Sequence, residues 1–379
     1  LLTVMVERGA SDLHLTVGSP AVIRVNGRLE RLADHDTLQP DEIRTLVYRI
    51  LSTEQQKMLE TRRQIDFSHV IPGLARFRVN AFFQRGAVGA AFRLIPAEIK
   101  SLEQLGIPTR LYELAEKPRG LVLVTGPTGS GKSTTLASLL HHINRSRHEH
   151  ILTIEDPIEF LHSHGSCIVN QREIGQDATT FAEGLRAALR QDPDVILVGE
   201  MRDLETVATA LTAAETGHLV FATLHTQSAP TTIDRVIDVF PAEQQGQVRV
   251  QLASTLQGVV TQNLVPTADG LGRRAALEVL IPDDAVRNLI RQAKVEQIYS
   301  VMQTSTSRGM QTMEQSLADL VRHHVITPEV AFARSSRPDQ LRGLLERSGI
   351  TNLTSAAPNG AAAQTDTPAK NGLRLAAEV

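Results

Sequence analysis

Cysteine is almost missing from this chain of 379 residues: Cys167 is the single one. That excludes an intrachain disulfide and a four-cysteine zinc site. Tryptophan is absent and aromatic residues make up 3%, so no basic–aromatic stripe for single-stranded nucleic acid is evident. A dominant charge is lacking too. The formal net charge is -3, which offers no global basic field to nucleic acid. No apolar run approaches the length of a membrane-spanning helix. No signal peptide is visible in the sequence, which begins at Leu1 rather than Met. What remains is an ordinary soluble balance, 41% hydrophobic and 21% charged. These features predict a cytosolic enzyme of two or three domains, associated with a membrane only peripherally, through a partner.

The strongest positive signal is Gly126-Pro127-Thr128-Gly129-Ser130-Gly131-Lys132-Ser133. It matches the phosphate-cradling pattern GxxxxGK[ST] in full. Leu121 to Val124 before it reads as a buried strand, and Thr134 to Ile143 after it reads as a helix. Glycines let the backbone curl so that several N–H groups point at one anion, and the helix N-terminus adds partial positive charge. Lys132 can reach the β- and γ-phosphates, and the Ser133 hydroxyl can ligate Mg²⁺. The chain is therefore expected to bind a nucleoside triphosphate.

Two acidic segments fit beside such a loop. Glu155, Asp156 and Glu159 follow a strand-like run, where they could hold Mg²⁺ through water or orient an attacking water. Val195 to Val198 is an apolar strand ending in Gly199-Glu200, where the common pattern carries Asp, so Glu200 is the candidate carboxylate on the Mg²⁺ side. His218 and His225 bracket another apolar strand. A histidine at a strand end could sense the γ-phosphate, or be hydrogen-bonded within the sheet. Arg76 and Arg78 fall on one face of a strand by alternation. If the following hairpin turns at Arg85-Gly86, Arg78 and Arg93 lie opposite each other. Like charges in register are destabilising, which asks for an anion between them or a solvated basic face. Ala285 to Gln292 is a helix with an apolar stripe of Val286, Leu289 and Ile290, and with Arg287 and Arg291 together on another face.

The pattern divides the chain into a small α+β domain (1–96), a linker (97–108), an α/β domain (109–350) and a disordered tail (351–379). In the small domain, strands are expected at Asp12–Val17, 22–25 and 28–32, with Asn26-Gly27 as a hairpin turn and a helical stretch at 40–60. In the larger one, strands at 121–125, 151–155, 195–199 and 218–224 alternate with helices at 133–143, 179–190 and 203–214, the signature of a parallel sheet. Thr327-Pro328-Glu329 reads as a helix start.

Together these residues resemble the secretion-type ATPases of type II secretion and type IV pili, and within them the retraction (twitching-motility) subgroup. The resemblance is carried by Ala10 to Leu15, Arg76 to Asn80, the loop at 126–134 with Thr134 as its last member, 154–159, 192–203 and 217–226. It implies a homohexameric ring with a PAS-like N-terminal domain and a RecA-like P-loop ATPase core. It implies ATP and Mg²⁺, with Glu159 as the catalytic glutamate and Glu200 as an atypical Walker-B acid. It implies Arg78 and Arg93 as arginine fingers toward the next subunit, and His218 and His225 as the histidine box. The implied load is a pilus base in the inner membrane, reached through a platform protein. Retraction is favoured over assembly or secretion because a four-cysteine module and an extra N-terminal domain are missing, and because Ala285 to Gln292 follows the subgroup's Ala-Ile-Arg-Asn-Leu-Ile-Arg-Glu helix. Val286 replaces Ile there and Gln292 replaces Glu, which also admits an accessory retraction paralogue. A DNA-translocating motor and a regulator without turnover are the rivals of other classes.

Overall fold

A computed structural model describes residues 1–25, 27–95 and 98–350. The small domain is a six-stranded antiparallel sheet of β1 (Asp12–Leu15), β2 (Val22–Val25), β3 (Arg28–Arg31), β4 (Gln64–Ile71), β5 (Ala75–Gln84) and β6 (Ala87–Ile95), in the order β3-β2-β1-β6-β5-β4. Gln84 pairs with Ala87, so the hairpin turns at Arg85-Gly86, both left-handed. That is the backbone a two-residue hairpin demands. The β2–β3 hairpin has Val25 opposite Arg28; Asn26 lies outside the described residues.

The helical stretch expected at 40–60 is two helices, Pro40–Tyr48 and Thr53–Arg62. Ser52 divides them: its hydroxyl accepts the Gln55 N–H while the Gln55 side chain accepts the Ser52 N–H. This reciprocal cap starts a new helix. Ile43 and Val47 are buried, whereas Leu46 between them in sequence is exposed.

The larger domain is a seven-stranded sheet of β7 (Gly120–Thr125), β8 (His150–Glu155), β9 (Ile168–Glu173), β10 (Val195–Val198), β11 (Leu219–Leu224), β12 (Leu256–Pro266) and β13 (Arg273–Leu280). Its order is β13-β12-β7-β11-β10-β8-β9, parallel except for β13. β7, β10 and β11 are buried at every residue, because helices cover both faces. Leu121, Ile154, Val198 and Val220 pack on helices Phe181–Ala188 and Leu204–Glu215. Val122, Val124, Leu197 and Phe221 pack on helix Lys132–Ser146. Cys167 is buried on that second side, its thiol donating to the Ile143 and Arg147 carbonyls.

The segment expected to be a linker is built differently. Its later part carries a capped turn, Leu102–Leu105, and Leu102 and Ile107 are buried in the same core as Val122 and Leu139. Apolar side chains at 102 and 107 thus make residues 101–108 part of the larger domain's packing. Thr327 caps helix Pro328–Arg334 as its sequence foretells. Helix Asp284–Arg291 buries Val286 and Ile290, while Arg287 donates to the Ala253 and Ser254 carbonyls at the end of helix Ala242–Thr255. The segment 351–379, expected to be disordered, lies outside the described residues. No described helix is long and apolar enough to cross a membrane.

Among the described residues, two side-chain hydrogen bonds join the domains, and both end on one turn. Arg76 Nη2 donates to Glu173 Oε2 at 2.7 Å, and Gln176 Nε2 donates to Ser68 Oγ at 3.2 Å.

Candidate active site

β7 ends at Thr125, and the chain then passes through three left-handed glycines before helix Lys132–Ser146: Gly126 (φ 136°), Gly129 (φ 77°) and Gly131 (φ 90°). A methyl group on Gly126 would stand 2.2 Å from the Gln262 carbonyl oxygen, and one on Gly131 would stand 2.7 Å from Gln262 Nε2. Gly129 faces open space. Two glycines therefore press the loop against β12, and the third opens toward solvent.

Gln262 is buried on β12 and braces this loop. Its Nε2 donates to the Ser130 carbonyl at 2.7 Å, and its Oε1 accepts from Thr135 Oγ1 at 2.7 Å. Thr261 and Thr125 hydroxyls meet at 2.9 Å alongside. Sequence reasoning missed Gln262; it stands between Thr261 and Asn263 in the segment Val259 to Val265, where nothing singles it out.

The loop suits a polyphosphate. Ser130 Oγ is buried without a partner, Thr128 and Gly129 are exposed, and Ser133 and Thr134 sit half-buried on the first helical turn. Pro127 and Gly126 carbonyls accept from Lys132 Nζ at 3.1 and 2.9 Å. Burial holds the Lys132 ammonium below its ordinary pKa, while the carboxylates of Glu200 and Glu159 pull it back up. Those three side chains, more than 25 residues apart in sequence, thus share one electrostatic neighbourhood.

Glu200 follows β10. The Gly199 N–H bonds the Ile154 carbonyl and the Met201 N–H bonds the Thr223 carbonyl, fixing the turn on both neighbouring strands. Glu200 Oε1 meets His225 Nε2 at 2.9 Å and also accepts from Arg202. His225 leaves the C-terminal end of β11, the end that faces the phosphate loop.

His218 does not join this site within the chain. It precedes β11, at the opposite end of the sheet from the loop, and its Nδ1 lies 2.9 Å from the Ala213 carbonyl at the end of helix Leu204–Glu215. A strand of six residues separates it from His225, roughly 20 Å of extended backbone. The polar end of the preceding helix, not the site, engages its ring.

The three carboxylates after β8 also part company. Glu155 turns inward, accepting from Thr153 Oγ1 at 2.6 Å and Gln171 Nε2 at 3.1 Å. Burial pushes its carboxyl above the usual range, and the like charge of Glu159 adds to this. Asp156 lines the cleft between the domains. Ile158 is buried and anchors the turn, so that Glu159 next to it is exposed.

Arg78 and Arg93 are in direct register on β5 and β6. The anions they call for are already supplied in part within the small domain. Asp12, paired with Arg93 on β1, accepts from Arg93 Nε at 2.9 Å. Asp66 lies 4.0 Å from Arg78. Burial of Asp12 opposes its ionisation, but hydrogen bonds from Ser11 and Arg93 keep its pKa below the ordinary value. Both guanidinium groups remain accessible, Arg93 the more so. Arg76, on the same strand face as Arg78, turns instead to its own larger domain.

The model of a family described as type II/IV secretion system protein matches residues 1–271. The type IV pilus retractation ATPase PilT of Pseudomonas aeruginosa is 52% identical over 339 residues, which cover 89% of this chain and 98% of that protein. The twitching motility protein of Neisseria gonorrhoeae is 49% identical over 341 residues, 90% of this chain and 91% of its own. A crystal structure of the pilus retraction motor PilT with bound ADP superposes with a TM-score of 0.85 at 51% identity, covering 92% of this chain and 99% of that one.

Proposed function

The chain belongs to the type II/IV secretion system protein family, and from that premise we propose that it is an ATP-hydrolysing motor that powers retraction of type IV pili. The observation that carries this is the convergence of Lys132, Glu200 and Glu159 beside a complete phosphate loop, in a chain similar over nine-tenths of its length to retraction ATPases.

In this reading the loop amides and the helix N-terminus bind the β-phosphate, and Lys132 releases the Gly126 and Pro127 carbonyls to reach the γ-phosphate. Ser133 and, partly through water, Glu200 would hold Mg²⁺, which would supply neutralising charge to the phosphates. Glu159, exposed beside the loop, accepts a proton from the attacking water. His225 keeps Glu200 in place and registers its movement. Arg78 and Arg93 stabilise charge on a neighbouring subunit's nucleotide, exchanging Asp66 and Asp12 for phosphate. The assembly is a homohexamer at the inner face of the cytoplasmic membrane, working on a platform protein of the pilus base.

The test is Mg²⁺-dependent ATP hydrolysis against protein concentration for the wild type, Glu159→Gln and Arg78→Ala. The expected result is specific activity that rises cooperatively with concentration. Both variants should bind ATP yet lose about 100-fold or more in kcat. Normal hydrolysis by Arg78→Ala at every concentration would remove the trans-arginine role.

A further inference from the structure

The turn that presents Glu159 leaves a strand that ends in one carboxylate and is tied to a second. Glu155 ends β8 and Glu173 ends β9, and the two residues are paired in the sheet. Glu173 Oε2 takes the N–H of Ile158, the residue next to Glu159, at 3.2 Å. Their remaining partners differ in origin. Thr153 and Gln171, which serve Glu155, belong to the same domain. Glu173 is buried, and the cation that meets it is Arg76 of the small domain, at 2.7 Å on the same oxygen that holds Ile158. Arg76 is itself largely buried and also donates to Ser68 Oγ at 2.8 Å. Gln176, on the turn after Glu173, donates to Glu173 Oε1 at 2.5 Å and reaches the same Ser68.

This is the one ion pair joining the domains among the described residues. It borders an open cleft of about 370 Å³ lined by Arg78, Asp66, Asp156 and Glu173. A buried pair is a weak source of net stability, since desolvation offsets the attraction. Withdrawing one partner is costly, because a bare charge stays behind. Such a contact is suited to registering position.

We propose that Arg76 and Glu173 form a cross-domain latch that positions the Glu159 turn, so that water is activated only while the small domain is docked on its own larger domain. Arg76 and Glu173 are positioning residues; neither touches the reacting atoms. The proposal rests on the reading of Glu159 given above. With Arg76 in place, Glu173 Oε2 is held where it accepts the Ile158 N–H. With Arg76 withdrawn, the carboxylate is free to swing toward water, and the turn loses the support that Glu173 gives the Ile158 N–H.

The test uses the full chain and two readouts, amide hydrogen exchange in peptides covering 155–161 and steady-state hydrolysis. Variants are Arg76→Ala, Glu173→Gln and their combination, which also removes the stranded charge should Arg76→Ala fold poorly. Arg76→Ala is expected to speed exchange at 155–161 by about tenfold while peptides over 120–134 are unchanged. It should lower kcat by about tenfold, with the affinity for a fluorescent ADP analogue within about threefold of wild type. On the Glu173→Gln background, removing Arg76 should change neither readout further. Unchanged exchange in Arg76→Ala overturns the latch, whatever the hydrolysis. Faster exchange with normal kcat overturns the positioning role, as does a loss of ADP affinity equal to the loss of kcat. Faster exchange alongside a fully active Glu159→Gln leaves the latch standing and removes the role of Glu159 instead.

Discussion

Gln262 shows how much one amide can decide. It fills a buried position where its nitrogen and oxygen are both used, on the Ser130 carbonyl and the Thr135 hydroxyl. Its backbone carbonyl and side chain also fill the space that glycines leave at 126 and 131. Gln262→Ala leaves a carbonyl and a hydroxyl unpaired beside the phosphate loop. The expected cost is about 1–3 kcal/mol of stability, read from urea unfolding, together with weaker binding of ADP, read by titration. Gln262→Glu is a sharper probe: it keeps the acceptor for Thr135 but sets a carboxylate against the Ser130 carbonyl, so nucleotide affinity should fall at least as far as in the alanine variant. Little in the sequence marks this residue. A phosphate loop is a local pattern, legible because all its parts lie within eight residues. Gln262 meets that loop from 132 residues away, and Arg76 meets Glu173 from 97; spacing carries no trace of either.

At the scale of elements, the central strands are the legible ones. β7, β10 and β11 are continuous apolar runs, since both of their faces are covered. β9 was not foreseen because Ile-Val-Asn-Gln-Arg-Glu is an edge strand with polar side chains. β12 was not foreseen because helix Ala242–Thr255 runs into it without a loop, so no turn signal separates the two. Its neighbour β13 supplies Glu278, which is buried and accepts the N–H of Ala229, the first residue of helix Ala229–Asp238. This helix follows directly on the His225 segment. Burial, reinforced by Glu314, pushes the Glu278 carboxyl up to about 7. A raised carboxyl pKa means that the folded chain holds the proton more tightly than the unfolded one. The stabilisation is therefore complete below about pH 4.5 and is lost as pH rises through about 7. Glu278→Gln should remove that slope, on the order of 3 kcal/mol between pH 5 and pH 8, as checked by urea midpoints at the two pH values.

For the whole molecule, the placement of its arginines has a consequence for salt. Arg78 and Arg93 keep accessible guanidinium groups near acids of the same domain, whereas Arg76 is sheltered in its pair with Glu173. Contacts made between subunits by accessible charges weaken as ions screen them, while sheltered pairs are screened far less. Raising NaCl from 50 to 500 mM, on the order of a threefold shorter Debye length, should move the concentration for half-maximal specific activity upward. The exchange protection of the Ile158 amide, which depends on the sheltered pair, should stay the same. A salt response of equal size in both measurements would mean that the two arginine sets are not separate.

The burial of Cys167 reaches further than packing. Its thiol is enclosed beneath helix Lys132–Ser146, and that burial pushes its pKa up, so little thiolate is available to react. With no other sulfhydryl and no indole in the chain, the molecule is silent to the two commonest site-directed probes. A cysteine placed at Leu29 in the small domain and another at Leu271 in the larger one, both exposed, would be the only groups to take a maleimide dye. The angle between the domains could then be followed as an optical distance in a chain otherwise unaltered.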